Sequence, residues 1–175
     1  SHTIEDFRNF FRDDKTKTYF KIKDIIDKAL FLLSAKLERN QIQIENDILD
    51  IEINGLKNEF IQVILNLINN ATDAFLEQNN EVKLISIKSF MDEDNNVNLI
   101  IKDNAGGIPE NIINNIFEQY FTTKADKNGT GIGLYMVKHI IEDHMEGALN
   151  VENESFEYEG KQQKGACFTI KIKVG

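Results

Sequence analysis

The longest regular pattern of hydrophobic residues lies at 58–77 and predicts a long helix that is largely buried. Apolar residues recur there at helical spacing over most of the circumference. The remaining narrow face is polar and consists of Gln62, Asn66, Asn69, Asn70, Asp73 and Glu77. Asn and Asp form helices less readily than the Lys, Glu, Gln or Arg of an ordinary solvated stripe. The pattern indicates that amide and carboxylate groups are needed on this face, although a polar stripe that happens to be rich in Asn remains an alternative.

Shorter patterns predict the other elements. Alternation of apolar and polar residues predicts strands at 17–22, 41–45, 49–53, 81–90, 97–102, 148–152 and 166–174. Helical spacing predicts helices at 24–39, 110–117 and 133–145, and the end of another at 1–11. A charged loop is expected at 155–164. Hairpins without regular βαβ alternation predict an α+β fold, a two-layer sandwich in which about three helices cover one face of a mixed, mostly antiparallel sheet.

Length and composition fit one globular domain with a real core, because the chain has 175 residues of which 41% are hydrophobic. The net charge of -9 argues against nucleic acid as a partner, since proteins that bind it present a basic face. Cys167 is the only cysteine, which fits a reducing, cytoplasmic compartment. No apolar run reaches membrane-spanning length. The first residue is Ser rather than Met, so we expect a fragment of a longer protein.

Asn66 and Asn70 are one helical turn apart, so their side chains point into one space. Two amide oxygens side by side can hold a hard cation such as Mg²⁺. This ion prefers oxygen ligands, retains several waters and takes its remaining ligands from phosphates. The helix therefore contains a candidate Mg²⁺ site.

Asp103 ends a predicted strand and is followed by two adjacent glycines, Gly106 and Gly107. The glycines allow positive φ or a close approach of the backbone to a flat ligand. A single carboxylate that faces a pocket can accept a hydrogen bond from an exocyclic amine such as N6 of adenine. A simple turn that ends the strand is the other interpretation, since the sequence DNAGG favours turns.

A glycine-rich segment at 129–134 precedes the last predicted helix. Its backbone N–H groups can line a concavity, and the helix N-terminus adds positive potential, which suits a triphosphate. The segment is neither a Walker A loop nor a convincing Rossmann fingerprint, because no Lys-Ser/Thr follows and no strand precedes it. Upstream, Lys124 could meet a phosphate while the aromatic residues of 117–121 anchor the base of a lid. A flexible linker and a small aromatic cluster with a solvated lysine are the alternatives.

These motifs are far more specific together than singly. The chain contains, in this order, NLINNATDAF, DNAGGIP, IFEQYFTTK and GTGIGL. They resemble the N, G1, F and G2 boxes of sensor histidine kinases, in the superfamily of gyrase, Hsp90, histidine kinase and MutL ATPases. The resemblance implies a catalytic ATP-binding domain with the Bergerat fold at 17–175. It also implies that 1–16 is the tail of a dimerisation and phosphotransfer helix.

The resemblance assigns roles to individual positions. Asn70 corresponds to the Mg²⁺-binding asparagine, with Asn66 as a second candidate ligand, and both are expected to be catalytic. Asp103 corresponds to the residue that recognises adenine. The positions expected to bind the nucleotide are Asn66, Asn70, Asp73, Asp103, Gly107, Ile108, Tyr120, Thr122, Thr123, Lys124, Gly129, Thr130, Gly131, Ile132, Gly133 and Leu134.

The sequence departs from the family pattern at three places. Ala105 replaces a common glycine, and Ala166 and Cys167 stand where a Gly-Thr type motif is common, which weakens the expectation of a secondary adenine contact. No H-E-x-x-x-P phosphoacceptor motif is present. We interpret His139 and His144 as surface or packing residues, so the phosphoacceptor histidine is expected upstream of this chain.

The resemblance implies a protein-histidine kinase that uses ATP and Mg²⁺. The γ-phosphate would pass to a histidine on a phosphoacceptor helix of the same or a partner subunit, and then to an aspartate in the receiver domain of a response regulator. The parent protein would be a homodimer, and attachment to the inner membrane is compatible with the sequence. A hydrolysing ATPase of the gyrase or MutL type and a non-catalytic nucleotide-sensing module are the alternatives. The first would require a carboxylate at position 66, where this chain has Asn.

Overall fold

The structure, a computed structural model, describes residues 16–122 and 133–174. The helices are α1 (Ile22–Leu32), α2 (Ser34–Arg39), α3 (Lys57–Phe75) and α4 (Gly133–His139), which continues as a π-helical turn (Ile140–His144). The strands are β1 (Thr18–Lys21), β2 (Ile42–Asp47), β3 (Glu52–Gly55), β4 (Lys83–Met91), β5 (Asn96–Asp103), β6 (Ala148–Tyr158) and β7 (Lys161–Lys173).

Five strands form the main sheet, in the order β2-β4-β5-β7-β6. β2 runs parallel to β4, and the other neighbours are antiparallel. β1 and β3 form a separate antiparallel pair. The predicted α+β architecture with a mixed, mostly antiparallel sheet is therefore confirmed.

The core lies between the helices and one face of this sheet. Alternate residues of the central strands, such as Ile85 and Ile87 in β4 and Leu99 and Ile101 in β5, are buried in the same cluster as the apolar residues of α3. α3 contacts α1, α4, β4 and β5. Contact on several sides explains why its apolar residues cover most of the circumference and leave one narrow polar stripe.

The helix predicted at 24–39 is interrupted. α1 begins at Ile22, so Asp24 lies in the first turn, and the helix ends before Leu33. The Ser34 hydroxyl donates a hydrogen bond of 2.8 Å to the carbonyl oxygen of Phe31. A serine that bonds to nearby backbone competes with regular helical hydrogen bonding, and α2 starts at this residue.

The charged loop predicted at 155–164 is wrong, because β6 and β7 continue through it to the pair Tyr158 and Lys161. Glu159 and Gly160 alone form the turn, with φ of 51° and 77°, as a two-residue hairpin of the primed type requires. The helix predicted at 110–117 is also wrong, since only a 3₁₀ turn at Ile113–Asn115 forms there. The strand expected at 49–53 is shifted to Glu52–Gly55.

The predicted leading helix at 1–11 lies outside the described residues. Within the parts that the structure describes, no helix is both long and apolar enough to cross a membrane.

Candidate functional site

The polar stripe of α3 forms one wall of the candidate site. Asn66, Asn69, Asn70 and Asp73 are all half-buried. A Cβ atom added to Gly133, the first residue of α4, would lie 3.0 Å from Oδ1 of Asn66. The start of α4 therefore lies directly against the amide of Asn66, which brings together two of the motifs found in the sequence.

Lys36 of α2, which no sequence motif marks, binds the other side of the stripe. Its Nζ donates to Oδ1 of Asn69 at 2.9 Å and lies 3.2 Å from Oδ1 of Asp73. Lys36 and Asp73 are about a third exposed, at 33% and 29%. An exposed-looking lysine in a short helix carries no sequence signal for such a contact, because 33 residues separate it from Asn69.

Asp103 lies at the end of β5 and is only 6% exposed. Its Oδ1 accepts hydrogen bonds from the backbone N–H groups of Ala105 at 2.9 Å and Ala166 at 3.3 Å. Burial raises the pKa of the Asp103 carboxyl to about 6, and these two hydrogen bonds oppose that shift. Both hydrogen bonds end on Oδ1, so a donor from a ligand would approach Oδ2.

Gly165 of β7, which is not among the residues predicted from the sequence, allows the close approach between β7 and Asp103. A Cβ atom there would lie 1.6 Å from the carbonyl oxygen of Asp103 and 2.8 Å from its Oδ1. Any larger side chain would collide with the backbone. A glycine inside a strand often marks such a close approach, and that was the one available signal.

Asn104 has a structural role that is not predicted from the sequence. It is 1% exposed. Its Oδ1 accepts from the N–H of Leu84 at 2.8 Å, while its Nδ2 donates to the carbonyl of Val82 at 2.8 Å and to Gln163 at 2.9 Å. The side chain next to Asp103 thus ties β5 to β4 and β7, and it holds the end of β5 in place.

The two glycines after Asp103 adopt the conformation that the sequence predicts. Gly106 and Gly107 have φ of 94° and 86°. The N–H of Gly106 donates to the carbonyl of Lys164 at 2.9 Å, and a Cβ atom on Gly106 would lie 3.1 Å from Oε1 of Gln78. Gln78 follows the end of α3, so α3 adjoins α4 at Asn66 and the glycine loop just beyond its C-terminus.

The aromatic segment is only partly anchored. Phe117 packs edge-on against Phe168 with ring centroids 6.3 Å apart, and Phe121 packs against the core. Tyr120 is 65% exposed and has φ of 65°, so its ring is not part of the anchor. Leu134 packs against the core, and Thr122 is half-buried.

The other predicted phosphate-site residues lie outside the described residues: Thr123, Lys124, Gly129, Thr130, Gly131 and Ile132. Within 16–122 and 133–174, no group of three or more His, Cys, Asp and Glu side chains could hold a metal ion. The half-buried side chains of Asn66 and Asn70 carry amide oxygens, a type of ligand that Mg²⁺ accepts together with waters and substrate phosphates.

His139 and His144 pack together near the start of α3. Their ring centroids are 5.0 Å apart, and Nδ1 of His144 lies 2.8 Å from Glu59. Their contacts agree with the packing role expected for both residues.

Residues 55–175 match the family described as "Histidine kinase-, DNA gyrase B-, and HSP90-like ATPase". Sporulation kinase A of Bacillus subtilis (strain 168) is 32% identical over 165 residues, which cover 92% of this chain and 24% of that protein. Sensor histidine kinase ZraS of Salmonella typhimurium is 36% identical over 156 residues, which cover 87% of this chain and 30% of that protein. The chain thus spans about a quarter to a third of the length of these curated relatives.

Solved structures resemble the fold closely. A nucleotide-free catalytic domain of histidine kinase ThkA superimposes with a TM-score of 0.73 at 29% identity, covering 91% of this chain and 99% of that domain. ThkA in complex with the response regulator TrrA gives a TM-score of 0.73 at 23% identity, covering 99% of this chain and 47% of that one. At this identity, the second likeness is one of fold alone.

Proposed function

Because the chain belongs to the histidine kinase-, DNA gyrase B- and HSP90-like ATPase family, we propose that it is the ATP-binding catalytic domain of a two-component sensor histidine kinase. The observation that carries this proposal is the position of α3. Asn66 of its amide stripe adjoins Gly133, and the glycine loop after Asp103 lies just beyond the C-terminus of the helix. The proposed metal ligands and the loop that follows the proposed adenine-binding acid therefore both adjoin α3. The names of the relatives support the kinase assignment.

Asp103 would recognise adenine. Its ionised carboxylate accepts a hydrogen bond from the exocyclic amine at Oδ2, while Ala105 and Ala166 hold Oδ1. A charge-assisted hydrogen bond in an enclosed site is stronger than a neutral one. Gly107 is proposed to contact the flat base through its backbone, and Ile108 would supply apolar contact beside it.

The amides of α3 would hold the metal. Asn70 is the proposed ligand of Mg²⁺, and Asn66, one turn earlier, is the second candidate. When bound, Mg²⁺ neutralises charge on the triphosphate, which is most of what phosphoryl transfer requires besides positioning. Asp73 lies on the same stripe, where its pairing with Lys36 limits repulsion of the phosphates.

The remaining nucleotide contacts stay predictions. Gly133 and Leu134 would begin the helix that faces the phosphates, with Gly129, Thr130, Gly131 and Ile132 before it. Thr122, Thr123, Lys124 and Tyr120 would form the base of the lid.

The γ-phosphate would pass to a phosphoacceptor histidine on a dimerisation helix of the same or a partner subunit, since this sequence has no H-E-x-x-x-P motif. The tail of that helix is the proposed identity of 1–16. The final acceptor would be an aspartate in the receiver domain of a response regulator, the kind of partner with which ThkA has been solved. A homodimeric parent protein follows from the same proposal.

Transfer to a histidine is favoured over hydrolysis because position 66 is an asparagine. A hydrolysing ATPase needs a general base that takes a proton from water, and an amide cannot do so. Asn66 can bind and orient, but it cannot activate water.

Calorimetric titration with ATP, with and without Mg²⁺, tests the proposal. We expect Asn70→Ala to remove most of the Mg²⁺-dependent part of the affinity and to leave the metal-free affinity unchanged. Asn69→Ala is the matched control, since that amide binds Lys36. Equal affinity of wild type and Asn70→Ala in Mg²⁺ would remove the metal role, and no binding by the wild type would favour a non-catalytic module.

A further inference from the structure

Asn153 of β6 makes three hydrogen bonds, and all of them go to the loop after Gly107. Its Oδ1 accepts from the N–H of Ile108 at 2.7 Å, and its Nδ2 donates to the carbonyl of Ile108 at 2.7 Å. The second Nδ2 hydrogen is donated to Oε1 of Glu110 at 3.0 Å. An asparagine has two such hydrogens, so both are used. Two short bonds to the N–H and carbonyl of one residue hold that residue as a neighbouring strand would.

The same side chain fills the space beside Gly107. A Cβ atom on Gly107 would lie 2.7 Å from Oδ1 of Asn153. On the other side of the loop, the N–H of Gly106 donates to the carbonyl of Lys164 in β7. The loop is therefore held by a backbone bond from β7, which any residue could supply, and by a side chain from β6, which depends on residue 153.

Asn153 also belongs to the strand register that positions Asp103. In the sheet, Asn153 lies opposite Ala166, and the N–H of Ala166 donates to Oδ1 of Asp103. Asp103 of β5, Ala166 of β7 and Asn153 of β6 thus lie side by side on three adjacent strands. The loop of Gly107 and Ile108 is bonded to this group through Asn153.

We propose that Asn153 is a positioning residue for the nucleotide: it fixes the backbone of Gly107 and Ile108 and so shapes the adenine end of the site. This inference rests on the proposed function. Asn153 acts through the loop and does not itself touch the ligand.

If Asn153 had a purely structural role, its removal would lower the melting temperature and leave the affinity for the nucleotide unchanged. The loop is partly solvated, with Gly106 exposed and Gly107 and Ile108 half-buried, so water can satisfy the groups that Asn153 releases. Its removal would therefore lower stability little. Without Asn153, the loop of Gly107 and Ile108 would sample several conformations. The loop would have to become ordered when the base binds, and the cost of that ordering would weaken the affinity.

Calorimetric titration with ADP at pH 8, with and without Mg²⁺, tests this. We expect Asn153→Ala to raise the Kd about tenfold, as expected for the loss of one or two hydrogen bonds, and by the same factor in both conditions. Asn153→Asp loses both donors and adds a charge beside Glu110, so it should weaken binding at least as much. Glu110→Gln keeps the bonds to Ile108 and should change the Kd less than about twofold. Asn150→Ala, an exposed position on the same strand, is the matched control.

Several outcomes would overturn the inference. One is that Asn153→Ala binds ADP with wild-type affinity, whether or not its melting temperature falls. The others are that neither Asn153→Ala nor Asn153→Asp folds, and that the affinity for ADP is weakened only in the presence of Mg²⁺. If the wild type itself binds no ADP, the proposed function fails. If the wild type binds and Asn153→Ala binds equally well, only the positioning role fails.

Discussion

At the scale of single residues, the burial of Asp103 links the site to pH. Burial raises its pKa to about 6 from the ordinary 3.8, against two backbone hydrogen bonds that lower it. Between about pH 4 and pH 6 the folded state therefore holds more protons than the unfolded state, so the free energy of unfolding falls as pH rises through this window. The proposed binding of an adenine amine by Asp103 uses the ionised carboxylate and should have the opposite dependence on pH.

We expect the affinity for ADP to increase by up to about tenfold per pH unit below about pH 6 and to level off above about pH 7. Asp103→Asn should bind more weakly and show a flat profile over this range. Calorimetric titration from pH 5 to pH 8 measures both. A variant that keeps the wild-type slope would assign the pH dependence to another group.

Among the described glycines, Gly165 is the one at which an added methyl group should lower the free energy of unfolding most. In Gly165→Ala the new Cβ would lie 1.6 Å from the carbonyl oxygen of Asp103, and two backbones must separate to admit it. We expect a loss of about 3 kcal/mol or more in the free energy of unfolding, measured by urea denaturation. Gly160→Ala is the control, because nothing lies within 4 Å there. Its positive φ alone should cost about 1 kcal/mol. If Gly165→Ala and Gly160→Ala lost the same free energy of unfolding, the backbone around Gly165 would have to accommodate the new Cβ atom at little cost.

The sequence predicts some of these residues and not others, for a physical reason. Positive φ at Gly106 and Gly107 is a local property, and local sequence predicts it. Asn153 and Ala166 act on partners 45 and 63 residues away. Their side chains look ordinary until the sheet brings the strands together.

At the scale of elements, α3 is stabilised by contacts on several sides rather than by intrinsic helix propensity. Leu67 is 1% exposed and lies on the apolar part of the helix surface. We expect Leu67→Ala to lower the free energy of unfolding by about 3 kcal/mol through lost burial and a cavity, measured by chemical denaturation. Gln62→Ala on the exposed side of the same helix should change it by less than about 0.5 kcal/mol. A similar loss in both variants would mean that propensity dominates.

Burial also decides which elements the sequence predicts. α3, β4 and β5 can be predicted because their core-facing residues must be apolar. Burial of one strand face gives a period of two, and burial of most of α3 gives apolar residues at helical spacing. The distal part of the β6–β7 hairpin is mostly polar, and its two aromatic residues, Phe156 and Tyr158, are only half-buried. Without a core face to enforce alternation, its strands have the composition of a charged loop.

At the scale of the whole molecule, the proposed function predicts phosphoryl transfer without hydrolysis, because the amide of Asn66 cannot act as a base that activates water. We expect the purified chain to bind ATP–Mg²⁺ with negligible release of phosphate. Label from γ-³²P-ATP should be transferred only when a separate histidine-bearing dimerisation domain is added. Phosphate release and labelling in the same samples measure this. Steady, rapid turnover by the chain alone would instead support a hydrolysing ATPase.

The fold class was predictable at this scale because hairpins and helices occur in an order that few architectures accommodate. The separation of β1 and β3 from the main sheet was not. Neither was the parallel pairing of β2 with β4, since strand alternation specifies which face is buried but not which strand lies alongside.

The buried thiol of Cys167 has a practical consequence. It is 4% exposed, and burial, with Glu154 nearby, raises its pKa to about 11. At neutral pH it is a poor nucleophile toward maleimides, and the chain has no other cysteine. A fluorophore or spin label could therefore be attached at one chosen surface position, such as Tyr120→Cys, in an otherwise unaltered background.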